Sequence, residues 1–188
     1  MPQPPPLLFL DAGPLLNLYA TGRIRDIVLA WPSRVGVADY VLEEEALYIW
    51  GPGREPAQED RQPVDLSPLV AEGVIAVYRL ETVEERATFV DLAAFMDDGE
   101  AVTAALAAHR EAAVATDDRK ARRAIRERVP DVPLVSTLEL LKQWADSLEP
   151  PTPDELRTAM LAMQSGATFT PGERDPLYAW WRHRLQGP

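Results

Sequence analysis

The chain has 188 residues, 46% of them hydrophobic, and a net charge of −11; it can bury a domain-sized core, which excludes a disordered polyanion. It has no cysteine and only two histidines, so disulfides and thiolate metal sites are excluded and any metal must be held by oxygen or imidazole. The apolar run Leu7 to Leu10 is too short for a signal-peptide core, and no stretch approaches the roughly 20 apolar residues that span a bilayer, so a cytoplasmic protein with no membrane association is expected.

Leu7 to Leu10 is continuous and apolar, as in a strand buried on both faces, and Asp11 stands at its end. Gly13-Pro14 opens a helix to about Tyr19, and Ile24 to Trp31 forms another. Val35 to Ala38 is a second strand, and Asp39 caps a helix expected to run to about Trp50. Gly51 to Pro63 is rich in Gly, Pro and charge and is expected to be a loop. Val74 to Leu80 is a third strand. Thr82 caps a helix through Phe95, with Glu84 and Glu85 where acids suit the helix dipole. Asp97-Asp98-Gly99 interrupts it, and Glu100 to Arg110 is an alanine-rich helix. Ala112 to Ala115 is a fourth strand, Asp117 to Val129 a basic helix, Leu134-Val135 a fifth strand and Thr137 to Leu148 a helix.

Strands alternating with helices predict a parallel five-stranded sheet covered on both faces. Pro150-Pro151-Thr152-Pro153 marks a boundary between a domain over 1–149 and a helical extension over 150–188. The extension carries a helix from Asp154 to Gln164 and an aromatic end with Tyr178, Trp180 and Trp181, whose packing onto the domain is expected.

In an open parallel sheet, ligands sit beyond the carboxyl ends of the strands. Asp11, Glu44, Glu100 and the pair Asp117-Asp118 all fall near that edge. Clustered carboxylates raise one another's pKa and are costly without a cation. Mg²⁺ and Mn²⁺ suit oxygen ligands, can activate water and can neutralise charge on a phosphate. Plainer roles stand beside this one: Asp11 and one of Asp117 and Asp118 fit helix caps, and Glu100 fits a helix N-terminus. Glu44 lies, at roughly 100° per residue, in the middle of an arc shared by Tyr40, Val41, Leu47 and Tyr48. A carboxylate there needs a partner, either a cation or a buried salt bridge.

Four segments carry a family resemblance: Leu8-Phe9-Leu10-Asp11-Ala12-Gly13-Pro14, Val41-Leu42-Glu43-Glu44, Asp98-Gly99-Glu100-Ala101, and Val114-Ala115-Thr116-Asp117-Asp118-Arg119. In this order the chain resembles the PIN-domain ribonucleases, especially the toxin components of toxin–antitoxin pairs, over roughly residues 7 to 147. The resemblance implies an α/β/α sandwich and hydrolysis of RNA phosphodiesters with Mg²⁺ or Mn²⁺. It places the family's acids on Asp11, Glu44 (to within one residue), Glu100, and Asp118 or Asp117, with Asp11, Glu100, Asp117 and Asp118 expected as metal ligands. Toxin members pair with a small antitoxin protein and commonly form homodimers. The acidity of the chain, its long loop and its tail depart from the simplest members.

Supporting positions are weaker. Thr116 could orient a carboxylate or end a strand, and Asn17 could face the groove or solvent. Arg119, Lys120, Arg122 and Arg123 could guide RNA phosphates or form a solvated face. A haloacid-dehalogenase-like phosphotransferase would need a second Asp where Gly13 stands, and a receiver domain an Asp at the third strand. A non-catalytic module that binds RNA or protein is the competing class, separated by whether the acid set is complete.

Overall fold

The computed structural model describes residues 5–51 and 61–186. Its centre is β1 (Leu7–Leu10), whose side chains are almost wholly excluded from solvent. Each fully buried side chain of this size stabilises the fold by about 1.5–3 kcal/mol, which is why a four-residue apolar run suffices as the central strand. β1 pairs in parallel with β2 (Arg34–Ala38) on one side and β6 (Ala112–Ala115) on the other. β5 (Ile75–Tyr78) extends the sheet beyond β2, and β7 (Leu134–Val135) beyond β6. The order β5-β2-β1-β6-β7 is all parallel. This is the expected α/β architecture, and the chain reverses its direction across the sheet between β1 and β6.

Helices supply the crossovers. α1 (Ala12–Ala20) and α2 (Ile24–Ala30) follow β1; α3 (Ser67–Ala71), which the sequence pattern did not mark, precedes β5. α4 (Val83–Ala93) starts at a capping box between Thr82 and Glu85. α5 (Asp98–His109) begins two residues before the expected Glu100, with Asp97 as its N-cap. α6 (Arg119–Arg128) and α7 (Thr137–Ala145) lie on either side of β7 in the chain. Among the described residues no helix is long and apolar enough to cross a membrane.

The expected helix from Asp39 to Trp50 does not form. Asp39 and Tyr40 start a helical turn that passes at once into a π-helical turn, Val41–Glu45, closed by the Ala46 N–H donating to Val41 O at 2.8 Å. The chain then extends as β3 (Tyr48–Trp50), antiparallel to β4 (Arg61–Pro63). The aromatic pair Tyr48 and Trp50, with the Arg61 guanidinium 4.0 Å from the Tyr48 ring, favours this ribbon. Part of the predicted loop is therefore a strand, and residues 52–60 lie outside the described residues.

The segment after Pro150 joins the same core. α8 (Pro153–Gly166) and α9 (Tyr178–Gln186) contribute Leu156, Met160, Met163 and Trp181, all buried in the cluster that holds β1. Among the described residues, these side chains share one buried cluster with those of β1 to α7.

Candidate active site

The reversal point between β1 and β6 is where an open α/β sheet forms a crevice, and Asp11 and the Asp117-Asp118 pair flank it. Asp11 follows β1 directly and caps α1: its Oδ1 accepts the Ala12 N–H at 2.8 Å. Its Oδ2 accepts the Thr116 hydroxyl at 2.9 Å. Thr116 Oγ1 in turn accepts the Asp118 N–H at 3.3 Å. Thr116 thus ties the end of β1 to the turn after β6. Asp11 is 6% exposed, and burial, reinforced by the charges of Glu45 and Asp117, pushes its pKa up to about 6.

Asp117 points away from Asp11's hydrogen bonds and into a polar cage. It accepts the Thr137 N–H at 2.9 Å, the Thr137 hydroxyl, and Asn17 Nδ2 at 3.2 Å; Asn17 also donates to Thr137 Oγ1 at 3.2 Å. Asn17 is buried, so its role is to fix Asp117, not to meet solvent. Burial raises the Asp117 pKa against these hydrogen bonds. Asp118 is the N-cap of α6, accepting the Ala121 N–H at 2.8 Å through Oδ1. Its charge and that of Asp11 act on Glu100.

Glu100 sits in the first turn of α5. Its Oε2 accepts the Asp97 N–H at 3.1 Å, the helix-terminus role considered from sequence. Burial, then the charges of Asp11, Asp118 and Asp97, raise its pKa to about 7. Glu45, not Glu44, is the residue of this turn that reaches α5. Glu44 is exposed, whereas Glu45 is half-buried and its Oε1 accepts the Gly99 N–H at 3.1 Å. The π turn is the cause. An i→i+5 bond adds a residue to the turn and rotates everything after it, so Glu45 takes the inward place that an α-helix would give Glu44. Burial raises the Glu45 pKa, with further repulsion from Glu100, Asp97 and Asp98. Nothing in the residue pattern of Val41-Leu42-Glu43-Glu44-Glu45 signals a π turn.

Asp11, Glu45, Glu100 and Asp118 therefore act electrostatically as one group drawn from β1, the turn after β2, α5 and the turn after β6. Among the described residues none of the four forms an ion pair; Lys120 Nζ stands 4.0 Å from the neighbouring Asp97 Oδ1. One buried carboxylate, Asp11, two half-buried ones, Glu45 and Glu100, and the exposed Asp118, held by backbone and hydroxyl donors, could offer oxygen ligands to a hard divalent cation. Among the described residues no three acidic or histidine side chains are already drawn together tightly enough to enclose an ion.

The basic helix divides its residues differently from the expectation. Lys120 pairs with Asp97 and Arg123 with Glu127 at 2.8 Å. Arg122 donates to Thr116 O at 2.7 Å and Val135 O at 3.0 Å, joining β6 to β7 beside Asp117. Arg119 alone of the four is exposed without an ion-pair partner among the described residues.

No protein-family model matches the chain, and no curated protein matches it.

Proposed function

We propose that the protein is a divalent-metal-dependent endoribonuclease acting in the cytoplasm. The observation that carries this reading is the meeting of strand-end and helix-start carboxylates at the crevice between β1 and β6: Thr116 ties Asp11 to the Asp118 turn, and Glu45 reaches the first turn of α5, where Glu100 sits. Such a group costs stability when ionised and recovers it when a cation is bound. Asp11, Glu100 and Asp118 would hold Mg²⁺ or Mn²⁺, with Glu45 completing the set in place of Glu44 and Asp117 fixed behind them. The ion supplies Lewis acidity toward a phosphodiester and lowers the pKa of a water.

The chain's own residues define what that chemistry acts on. Thr116 and the Ala12 N–H each engage one Asp11 oxygen, which fixes its carboxylate plane. The Gly99 N–H does the same for Glu45, leaving Oε2 uncommitted to any described donor. Burial and the neighbouring acids disfavour ionised Glu100 in the metal-free protein, so a bound cation would favour its carboxylate form. A small antitoxin and a second copy of the chain remain proposals resting on the resemblance alone.

A non-catalytic binding module is the second reading, favoured by the capping roles that Asp11, Glu100 and Asp118 already fill. Titrating the protein with Mn²⁺ while following thermal unfolding separates the two, since an ion that binds only the native state raises stability by RT ln(1 + [L]/Kd). The expected result is a rise in Tm for the wild type, a much smaller one for Asp11→Asn, and Mn²⁺-dependent cleavage of single-stranded RNA only by the wild type. No response in the wild type overturns the enzyme reading.

A further inference from the structure

Next to the acidic group, behind α6, lies a cleft of about 1090 Å³. One wall is α6 and α7; the other is the segment 169–177 that joins α8 to α9. Arg119, Arg122 and Arg126 face it from α6 and Arg174 from the joining segment. Among the described residues, Arg119, Arg126 and Arg174 form no ion pair, in a chain with 30 acidic residues against 19 basic ones. The lining carries four guanidinium groups and Lys142 against the carboxylates of Asp117, Glu139, Asp146 and Asp175, a small positive balance in a chain whose net charge is −11.

The acids lining the same cleft are engaged locally. Glu139 Oε2 accepts the Ser136 N–H at 2.7 Å, and Asp175 Oδ1 the Leu177 N–H at 2.7 Å. Asp146 pairs with Lys142, and Asp117 is held by Thr137 and Asn17. The two walls also touch: the Arg119 guanidinium lies so close to Gly172 that a Cβ there would stand 3.0 Å from Nη2. Of the acids at the strand ends only Asp117 lines the cleft; Asp118, which stands between Asp117 and Arg119 in the chain, links it to the carboxylate group.

We infer that this cleft binds the phosphodiester backbone of a single RNA strand beside the carboxylate group, with Arg126 of α6 and Arg174 of the tail gripping phosphates from opposite walls. The identity of the strand rests on the ribonuclease reading; the anion site itself rests on charge and shape. Guanidinium groups on two walls can each take a phosphate bidentately. The tail is then a substrate-binding element, and RNA contacts are expected at Arg119, Arg126 and Arg174 in preference to Lys120 and Arg123.

The test is fluorescence anisotropy with a labelled single-stranded RNA oligonucleotide in EDTA, where no cleavage can occur. The proteins are wild type, Arg126→Glu, Arg174→Glu, the double variant, and Arg34→Glu, which makes the same charge change at the opposite end of the sheet. Circular dichroism checks that each is folded. The expected result is a Kd at least tenfold higher for the double variant, with intermediate losses for each single variant and a twofold change or less for Arg34→Glu. The salt slope should flatten by ~0.7 for each phosphate no longer neutralised. Equal binding by the double variant and Arg34→Glu, or no binding by wild type, overturns the inference. Cleavage by wild type in Mn²⁺ is scored separately. Cleft-dependent binding without cleavage sinks the ribonuclease reading and keeps the cleft; cleavage with cleft-independent binding does the reverse.

Discussion

Glu45 and Gly99 meet so closely that Glu45 Oε1 accepts the Gly99 N–H at 3.1 Å and any Cβ on residue 99 would overlap the carboxylate. The bare Cα in the first turn of α5 is what lets a side chain from the π turn reach the acidic group. Replacing Gly99 by Ala should therefore expel Glu45 while favouring α5, since Ala exceeds Gly in helices by roughly 0.5–1 kcal/mol. The expected outcome is a metal-free Tm equal to or above wild type, with the Mn²⁺-induced rise at least halved. An unchanged Mn²⁺ response would show that Glu45 takes no part in holding the ion.

Asp11→Asn keeps the shape of the side chain, and its amide can still engage Ala12 and Thr116. RNA cleavage should fall by at least a hundredfold with the circular dichroism spectrum unchanged. Wild-type turnover by this variant would remove Asp11 from the chemistry.

The pH dependence of metal-free stability follows from the same carboxylates. Asp11 titrates at about 6 and Glu100 at about 7 in the fold, against 3.8 and 4.5 for the free groups. Over that interval the native state binds more protons than the unfolded chain, so their contribution makes stability fall as pH rises. The metal-free Tm should be lower at pH 8 than at pH 5.5, and the decline should flatten in Asp11→Asn/Glu100→Gln. Mn²⁺ should stabilise more at pH 8 than at pH 5.5, because it competes with those protons. A double variant with the wild-type pH profile would contradict this assignment.

Far from the site, Glu85 has the opposite sign. Its carboxylate accepts Arg110 Nε at 2.7 Å and the N–H groups of Glu81 and Thr82 at 2.7 and 3.1 Å, and the Arg110 hydrogen bond leads in lowering its pKa to about 2. This contribution is complete above about pH 4.5 and is lost as pH falls through 2. Glu85→Ala should cost about 2 kcal/mol at pH 7, a Tm loss of roughly 4–8 °C, with Mn²⁺ binding unaffected. A loss below 1 °C in thermal unfolding would reduce the pair to a surface contact.

Trp181 is 2% exposed and edges against Phe169 at 5.8 Å between ring centroids. Trp181→Ala should destabilise the whole chain by about 3–5 kcal/mol in one cooperative transition. Two separate denaturant transitions in the wild type would restore the boundary at Pro150.

The sheet was legible because β1, β2, β5, β6 and β7 are short, largely apolar runs whose character needs no partner to be seen. Asp11 and Asp118 were legible for a related reason, since each ends a strand or caps a helix. Glu45 was hidden by one extra residue in a helical turn, which no hydrophobic period reports. Strand β4 was hidden because Arg61-Gln62-Pro63 has the composition of a loop and becomes a strand by pairing with Tyr48-Ile49-Trp50. Arg126 belongs to the basic run of α6 that was visible in the sequence, whereas Arg174 lies 48 positions on and lines the same cleft only through the fold of the tail.

The hydrogen bond from Thr116 to Asp11 joins residues 105 positions apart. Contacts of such long sequence separation slow folding, because the loop between them must be closed before they are made. Asp11 meets Thr116 only once β6 has docked on β1, so an incompletely folded chain holds its acids apart. A collapsed intermediate would be inert, and the lag before activity during refolding would time the docking of those two strands.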